Sequence, residues 1–221
     1  MSNKSLTRRS DIQTEDKRRR ILKAALSLFL QRGFDSTTVD EVASRAGVAK
    51  GTVYLHFHDK ADIYASLLEE RLGALESALA GIAQQSDQPD AKLRAMIRCN
   101  LDFIAQRYSG AEFVSDSSAG HNPEILRVIR QRFMPRLAAI IQLFAEVVRA
   151  GTNAGIFRAV EPFGTAARIF GLINVNLVRR ALDRRPIDPE KETNELVDLV
   201  LHGILARPGV SQDRGQRVSA S

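Results

Sequence analysis

Thr38-Val-Asp-Glu-Val-Ala-Ser-Arg-Ala-Gly-Val-Ala-Lys-Gly-Thr-Val-Tyr-Leu-His-Phe-His-Asp-Lys60 is the stretch whose reading decides the fold. Thr38 and Glu41 have the spacing of a capping box, in which the hydroxyl accepts from an early backbone amide and the carboxylate reaches back to the cap. The spacing predicts a helix over Val39 to Ala46. Gly47 supplies the left-handed residue that ends it, and Val48 tucks inward so that a third helix starts near Ala49 after a short turn. Asp59 then caps a helix beginning at Lys60.

Two short helices joined in this way bury one side of each and leave the outer side of the second free for a major groove. Val39, Val42, Ala43, Ala46, Val48, Val53 and Phe57 supply the buried side. That leaves Lys50, Thr52, Tyr54 and His56 as polar groups facing outward, with Gly51 letting the backbone come close to a duplex. Tyr54 and Lys60 are expected on phosphates, and Thr38 as a further phosphate donor. Lys50 and Thr52, at the start of the short helix, are expected on base edges, Lys50 preferring guanine O6 and N7, with Arg45 assisting.

Gly33-Phe34, Thr37-Thr38-Val39, Ala46-Gly47-Val48, Lys50-Gly51-Thr52-Val53-Tyr54, Phe57 and Lys60 together resemble the pattern of TetR-family (TetR/AcrR-like) transcriptional regulators over residues 15 to 65. The resemblance implies a three-helix DNA-binding domain and DNA-contacting roles for Thr38, Lys50, Gly51, Thr52, Tyr54 and Lys60. One departure is Ala49, where the family often has Ser. Loss of that cap costs about 0.5 to 2 kcal/mol locally, so the helix is expected to be looser before DNA orders it.

The charge supports a DNA-facing front end. The chain has 221 residues, 44% of them hydrophobic, and a net charge of +6. Residues 1 to 60 hold 12 Lys and Arg against 7 Asp and Glu, a surplus of +5, and the remaining 20 against 19 leave +1. Phosphates are attracted to such a front end, while the rest has no electrostatic reason to meet nucleic acid. A single cysteine, Cys99, excludes an internal disulfide, and neither a secretory signal nor an apolar run of about 20 residues is present. A cytoplasmic protein without membrane contact is expected, and the Asn3-Lys4-Ser5 triplet is then no glycosylation site.

Outward from the motif, residues 1–14 are polar and aperiodic and predict a flexible basic arm carrying Lys4, Arg8 and Arg9, with Thr14 as the cap of a helix from Glu15 to Arg32. Lys17, Arg18, Arg19 and Arg20 then sit at a helix start, where they oppose the macrodipole unless a phosphate lies nearby. The helix from Lys60 runs toward Gly81, and another is expected from Pro89 to about Arg107. A looser helix covers Ala111 to Ala119, and a helix from Pro123 to about Ala150 bends at Pro135. Glu161-Pro162 and Asp188-Pro189 open helices over 162–183 and 189–206. No strand pattern competes, so an all-α protein of about nine helices is expected. Its parts are the arm, a helix-turn-helix domain over 15–60, a helical ligand-binding and dimerisation domain over 61–206, and a disordered tail over 207–221.

The helix from Pro162 carries two apolar stripes, one of Phe163, Ala166, Phe170, Ile173 and Leu177 and one of Leu172, Val175, Val178 and Leu182. One face has to meet something besides its own core. In the last helix, Leu196, Leu199 and Val200 lie beside Val197, Leu201 and Ile204. The expected dimer face is Phe163, Phe170, Ile173, Leu177, Leu196, Val200 and Ile204, since the resemblance implies pairing through the last two long helices and two-fold symmetry suits a palindromic site. Phe103, Tyr108, Phe113, Met134 and Phe144, together with Phe133, are available to line a pocket in 89–160, and Asp116, Asn174 and Asn176 to orient a ligand.

Catalysis is not expected. His56 and His58 alternate rather than share a helix face, and no metal-ligand spacing appears. Ala49-Lys50-Gly51-Thr52 lacks the upstream glycines of a phosphate-binding loop. No cofactor is expected. The expected function is a transcriptional repressor that binds an operator as a homodimer and leaves it when an unidentified small molecule binds. The resemblance implies that the ligand acts by displacing the helix that starts at Lys60, and coupling of about 1 to 3 kcal/mol changes DNA affinity about 5- to 150-fold. A DNA-bound structural or interaction protein without an effector is the alternative.

Overall fold

The computed structural model describes residues 3–105, 122–183 and 188–204, and their side chains over 13–105, 122–175 and 188–203. Among them no strand occurs. The helices are α1 (Asn3–Arg32), α2 (Val39–Ala46), α3 (Lys50–His56), α4 (Lys60–Ala83), α5 (Pro89–Ala105), α6 (Pro123–Val128), α7 (Met134–Asn153), α8 (Pro162–Asp183) and α9 (Pro189–Ile204), with a π-helical turn, Ile129–Phe133, between α6 and α7. The expected Ala111 to Ala119 helix and the 207–221 tail lie outside the described residues.

Chain chemistry accounts for the helix ends. Thr38 and Glu41 form both halves of the capping box, and Gly47 adopts φ 65° at the end of α2. Asp59 accepts from the Asp62 amide at 2.7 Å to start α4. A cap followed by proline recurs three times: Asn122 accepts from Glu124 and Ile125, Glu161 from Phe163 and Gly164, and Asp188 from Glu190 and Lys191. Each pairs a side-chain acceptor with a residue whose missing N–H is no loss in the first turn.

The start of α1 corrects the expected arm and the expected cap at Thr14. The helix begins at Asn3, because no glycine or proline interrupts residues 3 to 32. Polarity leaves a segment with nothing to bury, yet a helix already nucleated and packed downstream propagates through it at little cost. Lys17 to Arg20 therefore lie inside the helix, away from the dipole end, and the expected macrodipole penalty does not arise.

Pro135 acts one turn earlier than expected. Lacking an N–H and clashing with the carbonyl four residues back, it disfavours regular α geometry in the preceding turn. That turn widens, and the Met134 amide donates to Ile129, five residues back.

Two hydrophobic cores result. The first gathers Ile21, Leu22, Ala25, Leu28 and Phe29 of α1, Phe34, Val42, Ala43 and Ala46, Val53 and Phe57, Ala61 to Leu68 of α4, and Ile125 and Val128 of α6. Within it, Phe34 sits 5.5 Å from Phe29 and 5.4 Å from Tyr64, ring centre to ring centre. The second contains Leu72, Leu75 and Leu79 of α4, the inner faces of α5 and α7, and residues of α8 and α9. Thus α4 serves both, and Phe133 of the π turn packs against both.

The end of α7 leaves no room beside Gly151. A Cβ at Gly151 would stand 2.1 Å from the Phe157 ring, and the Gly151 carbonyl accepts from both Ile156 and Phe157. Gly151→Ala is expected to destabilise the protein by about 1 to 3 kcal/mol in urea unfolding, because a ring with 2% exposure has nowhere to go. An unchanged midpoint would contradict this packing.

Candidate nucleic-acid interface

The outer face of α3 is built by exclusion. Val53 (1% exposed) and Phe57 (3%) anchor it to the first core. Lys50, Gly51 and Tyr54 are then exposed and Thr52 and His56 half-buried, so the predicted reading residues share one accessible surface. A Cβ on Gly51 would meet nothing within 4 Å, so the space outside the backbone there is open. Ala49 makes no side-chain cap, as its methyl requires.

Lys50 is held by Asp40 at the start of α2, Nζ to Oδ1 2.8 Å. Hydrogen bonding and the charge of Asp40 raise the Lys50 pKa. Both side chains are more than half exposed, where solvent screens the attraction, so a base edge or phosphate competes for the ammonium readily. Arg45 is turned toward α1, donating to Ser27 at 2.8 Å and Gln31 at 3.3 Å. Thr38 is exposed, with its hydroxyl engaged by Glu41. Backbone and hydroxyl hydrogen bonds from Thr38 hold the Glu41 carboxyl below its ordinary value, helped by Arg32.

Lys60 does not face outward. Its ammonium donates to the carbonyls of Phe34 (2.7 Å), Thr37 (2.9 Å) and Asp35 (3.4 Å) and lies 4.2 Å from the centre of the Phe34 ring. Burial pushes its pKa down, opposed by the charges of Asp35 and Glu124. In this arrangement the ammonium clamps the α1–α2 turn, whose carbonyls lie within reach of the long side chain.

Three further residues take roles that the sequence reading did not give them. Leu55, on the outer face of α3, is 85% exposed and suits the thymine methyl in a major groove. Sorting by polarity hides it, although its position opposite Val53 and Phe57 was readable. Arg20 donates to the Ala46 carbonyl at 2.6 Å and the Gly47 carbonyl at 3.1 Å, closing the end of α2 from α1. Arg132 of the π turn pairs with Asp62 at 2.5 Å and with Glu69, both on α4. These are long-range contacts with no local spacing to announce them.

A groove of about 600 Å³ opens between α1, α4 and α7, lined by Arg18, Glu69, Glu70, Gly73, Glu76 and Arg136 among others. Its carboxylates are matched by Arg18, Arg132 and Arg136, so it is a polar seam between the cores, unlike an apolar ligand site. Among the described residues no cluster gathers for a metal, and no helix is long and apolar enough to cross a membrane.

The expected ligand and dimer sets are divided by the structure. Phe103 and Phe144 belong to the second core, and Phe144 meets Phe170 edge to face at 6.3 Å. Met134 is 49% exposed at the start of α7 and does not line that core. The Asn174 amide donates to the Phe170 carbonyl of its own helix at 2.7 Å. Tyr108, Phe113, Asp116, Leu177 and Ile204 fall outside the described side chains. In the dimer set, Ile173 (1% exposed), Leu196 (9%) and Val200 (6%) are core residues, Phe170 is partly buried, and Phe163 alone of the described members is exposed. Both stripes of α8 are apolar, so composition does not tell inner from outer. The outer one holds Leu172 (38%) and Val175 (47%), joined on α9 by Leu199 (60%).

An exposed second helix of a helix-turn-helix, carried on a core that shares α4 with a larger helical body, defines a DNA-binding regulatory protein of two units. Residues 21–67 match the model for bacterial regulatory proteins of the tetR family. The HTH-type transcriptional repressor BepR of Brucella suis is 43% identical over 165 residues, 73% of this chain and 78% of that protein. This chain belongs to the TetR family and is a DNA-binding transcriptional regulator. The HTH-type transcriptional activator FasR of Mycolicibacterium smegmatis is 26% identical over 191 residues, covering 86% of this chain and 84% of that one. In fold, the chain is similar to the transcriptional regulator FadR from Bacillus subtilis in complex with stearoyl-CoA, with a TM-score of 0.73, 24% identity, and coverage of 84% of this chain and 98% of that one.

The clamp and the reading face separate in experiment. Lys60→Met is expected to cost about 1 to 3 kcal/mol of stability by orphaning carbonyls, while the slope of log binding constant against log salt stays as in wild type. Lys50→Ala is expected to change sequence preference. A slope reduced by about 0.9 in Lys60→Met would return that residue to a phosphate.

Proposed function

We propose that this regulator is a cytoplasmic repressor that binds a palindromic operator as a homodimer and is released when a small molecule occupies its second core. The single observation that carries the reading is the sharing of α4: residues Ala61 to Leu68 are built into the DNA-binding core and Leu72 to Leu79 into the other. A ligand wedged into the second core must move α4 or be excluded by it, and any movement of α4 carries Lys60 and the reading face with it. The naming of the 43% identical relative as a repressor supports the repressing sense. The complex of a protein of similar fold with stearoyl-CoA supports an organic effector.

Pairing is proposed through the outer stripe of α8 and α9. Leu172, Val175 and Leu199 are exposed beside Gly171 and Gly203, where an added Cβ would meet nothing within 4 Å. Small residues beside large apolar ones let two helices approach closely, and a two-fold axis there sets two α3 helices against half-sites about 34 to 36 Å apart or a multiple of that. Reading contacts are assigned to Lys50, Thr52, Tyr54 and Leu55, with Gly51 and His56 at the groove edge and Thr38 and Arg45 flanking.

Leu172→Asp and Leu199→Asp are each expected to give monomers in sedimentation and to weaken operator binding by more than tenfold, whereas Ile173→Asp is expected to unfold the subunit. A wild-type protein that sediments as a monomer while holding its operator would contradict the pairing. Titration with effector candidates against operator DNA, read by fluorescence anisotropy, is expected to find one that lowers affinity by about 5- to 150-fold. Operator binding that no small molecule changes would favour a regulator without an effector.

A further inference from the structure

The buried stripe of α5 consists of Leu93, Met96, Ile97, Asn100, Leu101 and Ile104, one amide among five apolar side chains. Asn100 is 1% exposed, and its Nδ2 finds no hydrogen-bond acceptor. Buried amide donors are paired in all but a few instances, and an orphan costs stability that an alkyl side chain of the same size would not. Departures of this kind from packing logic concentrate where a protein meets a ligand. One turn along α5, the Phe103 ring carries the Arg71 guanidinium of α4 at 5.1 Å, so a second N–H-rich group stands at the neighbouring level of this core. The described hydrophobic residues that surround them belong to the apolar second core.

We propose that Asn100 is the polar anchor of the effector site. Its amide donates to the acyl oxygen of a molecule that is otherwise alkyl and lodges beside α5 among α4, α7 and α9, the helices that α5 packs against most. The inference rests on the proposed role of the second core as the effector domain. A donor lacking a protein acceptor requires the ligand to bring one, and the alkyl side chains around it require the remainder of the ligand to be apolar. A cationic headgroup of the same chain length brings donors and no acceptor, and is rejected.

The test uses the full chain, two probes of equal length, dodecanoate and dodecylammonium, and the variant Asn100→Leu. Calorimetric titration is expected to show dodecanoate binding the wild type about tenfold or more tighter than dodecylammonium. Asn100→Leu without ligand is expected to melt a few degrees higher than wild type, since it removes the orphan donor, and to bind dodecanoate about tenfold more weakly, with its ligand-free operator affinity unchanged. A lower melting temperature for Asn100→Leu makes the amide structural and overturns the proposal. So does unchanged dodecanoate binding by the variant, or a wild type that shows no preference between the probes. Dodecanoate bound through Asn100 with no change in operator affinity overturns the effector-domain reading instead and leaves the anchor standing.

Discussion

The Lys60 ammonium is held in the angle between the α1–α2 turn and the first turn of α4, against the carbonyls of Phe34 and Thr37 and over the Phe34 ring. The Phe34 carbonyl also accepts from the Thr37 amide within the turn, and the partly buried cation adds a charge-assisted contact to both carbonyls. With this contact in place, α4 starts at a fixed position relative to α2 and therefore to α3. Arg20 fixes the other end of α2 in a similar way, by closing the carbonyls of Ala46 and Gly47. The reading helix, only seven residues long and without a side-chain cap, is seated through Val53 and Phe57 in the core whose borders these two cations close.

The second attachment of α4 comes from the far side. Asn122 donates to Asp35 of the α1–α2 turn, Ile125 and Val128 enter the first core, and Arg132 spans Asp62, Ser66 and Glu69. The segment from α6 through the π turn is thus docked on the DNA-binding core, although the chain reaches it only after α5. Pro135 brings this about locally: by disfavouring α geometry in the turn before it, it sets the widened stretch in which Arg132 and Phe133 lie.

Legibility in the sequence followed the range of the interactions. Thr38 with Glu41, Gly47, Asp59 and the three cap-proline pairs each act within four residues, and the helices they bound were readable to within a residue or two. The start of α1 was not, because nothing in residues 3 to 14 marks a boundary and helix propagation needs no mark. Lys60 was placed at the right helix terminus, but its contacts within the protein were not foreseen, since the carbonyls it meets lie more than twenty residues upstream. The two stripes of α8 were both seen, but with equal apolarity only the positions of α5 and α7 decide which is covered. Leu55 was missed because a leucine is ordinarily read as interior, and Asn100 because an amide on a helix is ordinarily read as surface.

A helix shared by two cores also has a consequence for folding. Between Leu68, the last α4 residue of the first core, and Leu72, the first of the second, lie only Glu69, Glu70 and Arg71, less than one helical turn. No linker separates the two bodies, so neither can lose its packing while the other keeps a complete surface. The subunit is in that sense one cooperative unit whose function is divided in two, and stabilising either half raises the free energy of opening the other.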